Sequence, residues 1–430
     1  MKEIRFDQKF TIEGFWNLPN SSTKVFGILS STPGKTVNLH TIGSLDNKNG
    51  FKALIENEYY ELIQGMSIEN VPFTLLNCRE YEKKSTGNSL SIIDFHCQYV
   101  IQGLSLNSRK EGVFKMANVE MVGLSDWCSP SKVDTLMEEH PSSLGSDFIG
   151  IDIRYKGKGI SKVQINDNTF LELGLSVNEF KSLKSDGIVS SMRYFTNFII
   201  EKNDSTCLEE VVHDIFLFKQ FVSFGLAQNL SFLQIDLKTK EIESNSIRLV
   251  CECGHSVEYD FAPSQVLFTY TTIGNYFPVA IKKWYGNNDS FEPIKNFLIE
   301  SILPSATFGS SDFLKVAIAL DSFYSQNIKN RIKLKLALDD LIKKYEDIHK
   351  LANDHIKSQA VSDTRNTLVH FMKNKKEHLL VGNELFEQTW YLRKLLICCV
   401  LSYLLGIENN NILNDILDHS NCWLLGDYKL

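Results

Sequence analysis

Lys24-Val25-Phe26-Gly27-Ile28-Leu29-Ser30, a turn at Pro33-Gly34, and then Val37-Asn38-Leu39-His40 form the stretch that sets the fold class of the N-terminal part. Apolar Val37 and Leu39 alternate with polar Asn38 and His40, the two-residue period of a strand with one buried face. Further along, Phe73-Thr74-Leu75-Leu76, Ile92-Ile93-Asp94-Phe95 and Tyr99-Val100-Ile101 lie between Gly, Asn and Ser clusters, at the spacing of antiparallel sandwiches and barrels. Residues 1–128 are therefore expected to be a β-rich N-terminal domain. From 129 to 304 the signals mix: Val211, Val212, Ile215, Phe216, Phe218, Phe221 and Val222 recur at helical spacing, whereas Phe232-Leu233-Gln234-Ile235 and Ile247-Arg248-Leu249-Val250 read as strands. That is an α+β middle region. After Pro304 strand punctuation thins out and helical periods take over, with stripes at Phe313, Val316, Ala317, Leu320 and Tyr324, and at Leu334, Leu338, Leu341, Ile342 and Tyr345. A segment from 384 to 405 is apolar nearly all round and hence central, so 305–430 reads as a C-terminal all-α helical bundle. The fold class is α+β, multidomain.

Size and charge narrow the function. A chain of 430 residues exceeds one ordinary core, and 43% hydrophobic with 23% charged residues is the profile of a folded protein. The formal charge of −7 excludes coating nucleic acid by bulk positive potential, so any RNA contact must be local. The opening Met1-Lys2-Glu3-Ile4-Arg5-Phe6 does not read as a secretory signal. The most apolar run, from Leu395 to Leu405, is roughly half of the ~20 residues that cross a bilayer and reads as a buried helix, so no membrane partner is expected. Nine cysteines, odd in number and scattered, fit reduced thiols in a cytoplasm.

The chemistry concentrates in Ser362-Asp363-Thr364-Arg365-Asn366-Thr367-Leu368-Val369-His370-Phe371. On a helix Asn366 and His370 share a face, while residues five apart are separated by about 140°, so the long Arg365 side chain must reach round to join His370. Ser362 or Asp363 is the expected N-cap, which would put Arg365 and Asn366 in a first turn that favours an anion. Cleaving RNA through its own 2′-hydroxyl needs one group to take a proton, another to give one, and positive charge on the phosphoryl oxygens. Histidine titrates near pH 6.5 and can do either proton transfer, and arginine can bind two phosphate oxygens at once. One chain supplies one such histidine; a two-fold dimer supplies two. Residues 343–376 hold eight Lys or Arg against four acids, and within this stripe Lys373, Lys375 and Lys376 are candidate RNA contacts. An arginine capping a neighbouring helix and a histidine satisfied in the core remain the structural alternative.

With these residues in view, Arg365-Asn366 followed by His370 on a C-terminal bundle resembles the signature of the HEPN ribonucleases. Gly14-Phe15-Trp16-Asn17-Leu18-Pro19, Leu39-His40-Thr41-Ile42-Gly43, Ile63-Gln64-Gly65 and Tyr99-Val100-Ile101-Gln102-Gly103 look like the N-terminal domain that accompanies such bundles in ApeA-type bacterial antiphage proteins. The resemblance implies a metal-independent endoribonuclease without cofactors. It would act as a homodimer or higher homo-oligomer in the bacterial cytoplasm and halt the infected cell, a behaviour called abortive infection, in response to a phage-derived trigger. By position Arg365 and His370 match the catalytic pair, Asn366 the polar residue that follows the arginine, and Asp321 the supporting acid of the first helix. The alternative is a non-catalytic bundle that binds RNA or a protein partner.

Other residues carry weaker signals. Cys251, Cys253 and His255 alternate as on one side of a strand; a metal site needs a further ligand, with Cys207 or His213 as candidates, and a plain strand with buried thiols is the other reading. No metal is expected. Trp16 and Trp127 are read as packing residues, with a ligand platform as the alternative.

Overall fold

Buried and exposed residues alternate without a break through β1 (Phe10–Asn17), where Phe10, Ile12, Gly14 and Trp16 point inward and Thr11, Glu13 and Phe15 outward. The same alternation marks β2 (Val25–Ser31) and β3 (Val37–Ile42), and with β4 (Tyr59–Ser67), β5 (Pro72–Thr86) and β6 (Leu90–Gln102) these strands pair antiparallel. The order β6-β3-β2-β1-β4-β5 returns to β6 through the β5–β6 ladder, so the six strands form a closed barrel. Its interior is filled by Trp16, Leu29, Leu39, Ile63, Phe73, Leu75, Phe95 and their neighbours. Two glycines make room for Trp16. A Cβ on Gly65 would lie 2.2 Å from the indole and one on Gly27 2.9 Å from it. Trp16 is thus a packing residue.

This computed structural model describes residues 4–46, 58–86, 90–128, 134–141, 149–156, 162–184, 187–240, 247–251, 263–286, 291–302, 308–328, 332–349, 351, 355–370 and 379–425. Beyond the barrel the sheet continues through β14 (Ile247–Cys251), which pairs with the Tyr99–Gln102 end of β6, then β13 (Phe232–Thr239), β7 (Phe114–Met121), β12 (Gly187–Thr206), β11 (Thr169–Lys184) and β10 (Lys162–Asn166). A separate ribbon joins β8 (Asp134–Pro141) to β9 (Ile149–Lys156).

Two compact units divide the chain: Met1–Ser125, Pro130–Ile215 and Leu230–Tyr259 in one, Asp126–Ser129, Phe216–Asn229 and Asp260–Leu430 in the other. These seams do not coincide with residues 128 and 304. The reason is long-range pairing: β7, before 128, lies between β12 and β13, after it, in one sheet.

The second unit is helical. It holds Trp127, at the end of α1 (Leu124–Cys128), with its ring against Phe218 and Phe221 of α2 (Leu208–Leu226) and against Tyr270, which opens α3 (Tyr270–Ile273). Trp127 is fully buried, and a Cβ on Gly225 would stand 2.5 Å from its indole nitrogen, so this tryptophan is also a packing residue. The remaining helices are α4 (Phe277–Gly286), α5 (Glu292–Ile302), α6 (Ser310–Asn327), α7 (Leu334–Lys344), α8 (Ser358–His370), α9 (Gly382–Leu405) and α10 (Asn410–Asp418). Both expected stripes lie inward on α6 and α7, apart from the half-buried Ile342. The run from Leu395 to Val400 in α9 is entirely buried, as its apolar circumference requires, and α9 stops at Gly406, whose φ of 68° lies in the left-handed region that glycine tolerates. Among the described residues no single helix is long and apolar enough to cross a membrane.

Candidate functional site

The site is built from α6 and α8. At the start of α6 the Gly309 N–H donates to the Asp312 carboxylate at 2.9 Å, which satisfies one donor left open before the helix and fixes its entry. Asp321 follows on the same helix, and one turn later the Tyr324 hydroxyl donates to Asp340 of α7 at 2.5 Å, tying α6 to α7. That bond and burial raise the Tyr324 phenol above its ordinary pKa.

The start of α8 differs from the expectation. Ser362 and Asp363 are not caps; they lie inside a helix that begins at Ser358, so Arg365 and Asn366 sit past its second turn and receive no free N–H groups from its end. A buried glutamine of α9 stabilises the entry instead. Gln388 accepts from the Lys357 N–H at 2.8 Å and donates to the His355 carbonyl at 2.6 Å. Thr364 anchors the other connection, because its hydroxyl oxygen accepts from the Leu380 N–H at 2.9 Å and so fixes the return of the chain beside α8. Neither role has a local sequence signal: Gln388 acts over 31 residues and Thr364 over 16.

Arg365 reaches across to α6. Its Nη2 donates to Asp321 Oδ2 at 3.1 Å and its Nη1 to Asn366 Oδ1 at 3.0 Å. Both the arginine and the aspartate are 19% exposed, so the ion pair is only partly screened by water. Nε is buried and has no hydrogen-bond partner among the described residues. With one N–H of each Nη engaged, each Nη keeps a second N–H, and a guanidinium presents such donors in a fixed fork that matches two phosphate oxygens. His370 ends α8 and is exposed, next to Val369, which is 40% exposed. Among the described residues its ring has no hydrogen-bond partner. At 1.5 Å per residue the backbone rises about 7.5 Å from Arg365 to His370. The structure therefore brings Arg365, Asn366 and Asp321 together and leaves His370 open at the end of the same helix.

Lys373, Lys375 and Lys376 lie outside the described residues, as do Cys253 and His255. Cys251 is buried at the end of β14, and among the described residues no three His, Cys, Asp or Glu are grouped to hold a metal ion. The paired thiols Cys398 and Cys399 are buried in α9, and burial raises both.

Comparison with known proteins gives two matches by family. The description "ApeA N-terminal domain 1" covers residues 11–284 and "Apea-like HEPN" covers residues 285–410. The second begins in the last turn of α4 and includes Asp321, Arg365, Asn366 and His370. No curated protein and no solved structure matches the chain.

Proposed function

Because this chain belongs to the ApeA family of antiphage HEPN proteins, we propose that it is an endoribonuclease which cleaves RNA by 2′-hydroxyl attack and acts by abortive infection. The observation that carries the reading is the Arg365–Asp321 ion pair: it fixes a guanidinium on α8, the helix whose last residue is an open histidine.

In this mechanism Arg365 binds the non-bridging oxygens of the scissile phosphate through its remaining N–H groups and offsets the charge that builds on them. His370 accepts the proton of the attacking 2′-hydroxyl. The oxygen attacks phosphorus, the bond to the 5′-oxygen breaks, and the partner's His370 supplies a proton to that leaving oxygen. The products are a 2′,3′-cyclic phosphate and a 5′-hydroxyl. General acid–base transfer of this kind contributes typically 10²- to 10⁴-fold. Both proton transfers and the charge stabilisation are assigned to side chains, so the proposal requires no metal. Asp321 is a positioning residue that aims the guanidinium.

The active unit in this reading is at least a homodimer. Its β-rich part restrains the nuclease and receives a phage-derived trigger. A second reading rests on the same ion pair: an arginine neutralised by an aspartate can serve structure alone, leaving a bundle that binds RNA or protein without cutting. Purified protein incubated with RNA in excess chelator separates the two. Cleavage by the wild type and none by His370→Ala supports the nuclease; binding without cleavage supports the scaffold.

A further inference from the structure

The closed barrel cannot take a ligand inside, because its interior is filled by Trp16, Phe73, Phe95 and the residues packed on them. Its outer face is another matter. In register, Tyr59 of β4 stands beside Arg79 of β5, Arg79 beside His96 of β6, and His96 beside Asn38 of β3. These side chains line one row across four strands, because lateral neighbours in a sheet share a face.

A β-bulge completes the row. Glu80 pairs with Phe95 and Glu82 with Asp94, so Tyr81 is an extra residue with no opposite number. Bulges re-aim side chains. Here Tyr81 lies flat on the imidazole of His96, with ring centroids 3.7 Å apart and planes 6° from parallel, while remaining 41% exposed. Hydrogen bonds stiffen the surround: His96 Nδ1 pairs with Asn38 Oδ1 at 2.7 Å, Tyr59 donates to Asn77 at 2.6 Å, and Asn77 donates to Gln98 at 2.6 Å.

The charges on this face are not equal. Asp94 is hydrogen-bonded to His40 at 2.7 Å and Glu82 is paired with Lys84 at 2.8 Å, while Arg109 is paired with Glu209. Arg79 is exposed and has no carboxylate partner among the described residues. Within the row itself, Arg79 is the permanently charged side chain.

An unpaired guanidinium beside a flat aromatic stack, with amides at its edge, matches the three surfaces of a single strand of nucleic acid: phosphate, base face and base edge. We propose that this outer row, centred on Arg79, Tyr81 and His96, binds single-stranded RNA. The choice of RNA as the strand rests on the ribonuclease reading. The row lacks the aliphatic anchors of a protein-docking patch, so a protein partner is left as an outcome of the test.

The probe is a fluorescein-labelled oligouridylate, measured by fluorescence anisotropy on the 430-residue chain carrying His370→Ala, which prevents cleavage. Tyr81→Ala is expected to weaken binding at least about fivefold, as loss of one stacked base does, whereas Tyr81→Phe keeps the ring and the affinity. Arg79→Ala is expected to lower the slope of log affinity against log salt by about 0.7, the share of one phosphate contact on a single strand. Thermal melting checks that each variant is folded, as these exposed positions allow. Unchanged affinity and salt slope in folded Tyr81→Ala and Arg79→Ala overturn the proposal. So does binding of a protein at this row that RNA does not displace. Cleavage by otherwise wild-type protein with and without His370→Ala is scored separately, so either proposal can fail while the other stands.

Discussion

Replacing Asp321 removes one of the two hydrogen-bonded anchors of Arg365 and leaves the other, the 3.0 Å bond to Asn366. The partly exposed ion pair contributes about 1 kcal/mol to stability, so Asp321→Ala should fold and melt within a few degrees of the wild type. Its effect on the reaction should be larger. A guanidinium held by one bond can drift by about 1 Å, and misplacement on that scale costs on the order of 100-fold in rate. The expected result is a fall in kcat of roughly 10- to 100-fold. KM should not rise, because the freed positive charge still attracts phosphate. Asp321→Asn, which keeps an acceptor oxygen but not the charge, should fall between the wild type and the alanine variant. The assay is steady-state cleavage of a fluorophore–quencher RNA, with thermal melts on the same samples. Wild-type kcat in folded Asp321→Ala would refute the positioning role; a rise in KM alone would show that the aspartate acts on binding rather than on alignment.

Gln388→Ala should destabilise the protein by about 1–2 kcal/mol, read from denaturant midpoints, because it removes the two part-buried hydrogen bonds that the buried Gln388 makes with the Lys357 N–H and the His355 carbonyl. In the barrel, Gly65→Ala drives a methyl into the Trp16 ring and should cost roughly 3 kcal/mol or more, seen as loss of soluble protein or a collapse of Tm, whereas the same change at the open Gly286 should be nearly silent. Burial raises the phenols of Tyr60 and Tyr345, with Glu58 and Asp46 adding to the effect at Tyr60. Both stay protonated in the folded protein while the unfolded chain ionises near pH 10, so this contribution is intact below pH ~10 and is lost as pH rises above it. Absorbance titration near 295 nm should show both ionising only with unfolding, and Tyr60→Phe should flatten part of the alkaline loss.

The strands of the barrel were legible because each alternates on its own: Val37 and Leu39 are inward and Asn38 and His40 outward, as the two-residue period demands. Closure was not legible, since the β5–β6 ladder and the place of β7 between β12 and β13 depend on partners far apart in the chain. That is also why the seams of the two units depart from 128 and 304. Helices α6, α7 and α9 follow from their apolar stripes, and α9 from being apolar on every side. The spacing placed Arg365, Asn366 and His370 on one helix, but it misassigned the start of that helix. Ser362 and Asp363 are good caps by type, yet Gln388 holds the chain at Lys357, about one and a half turns of sequence earlier, and only tertiary structure shows it. The Tyr81–His96 stack was hidden for a similar reason, because a bulge shifts the register by which side chains would be placed.

The chemistry of the cut ends tests the central claim most directly. RNA digested in excess chelator should carry 2′,3′-cyclic phosphate and 5′-hydroxyl ends, and these should vanish with His370→Ala and with Arg365→Ala. Ends bearing 5′-phosphate, or the same cyclic ends from His370→Ala at the wild-type rate, would contradict attack by the 2′-hydroxyl at a histidine–arginine site.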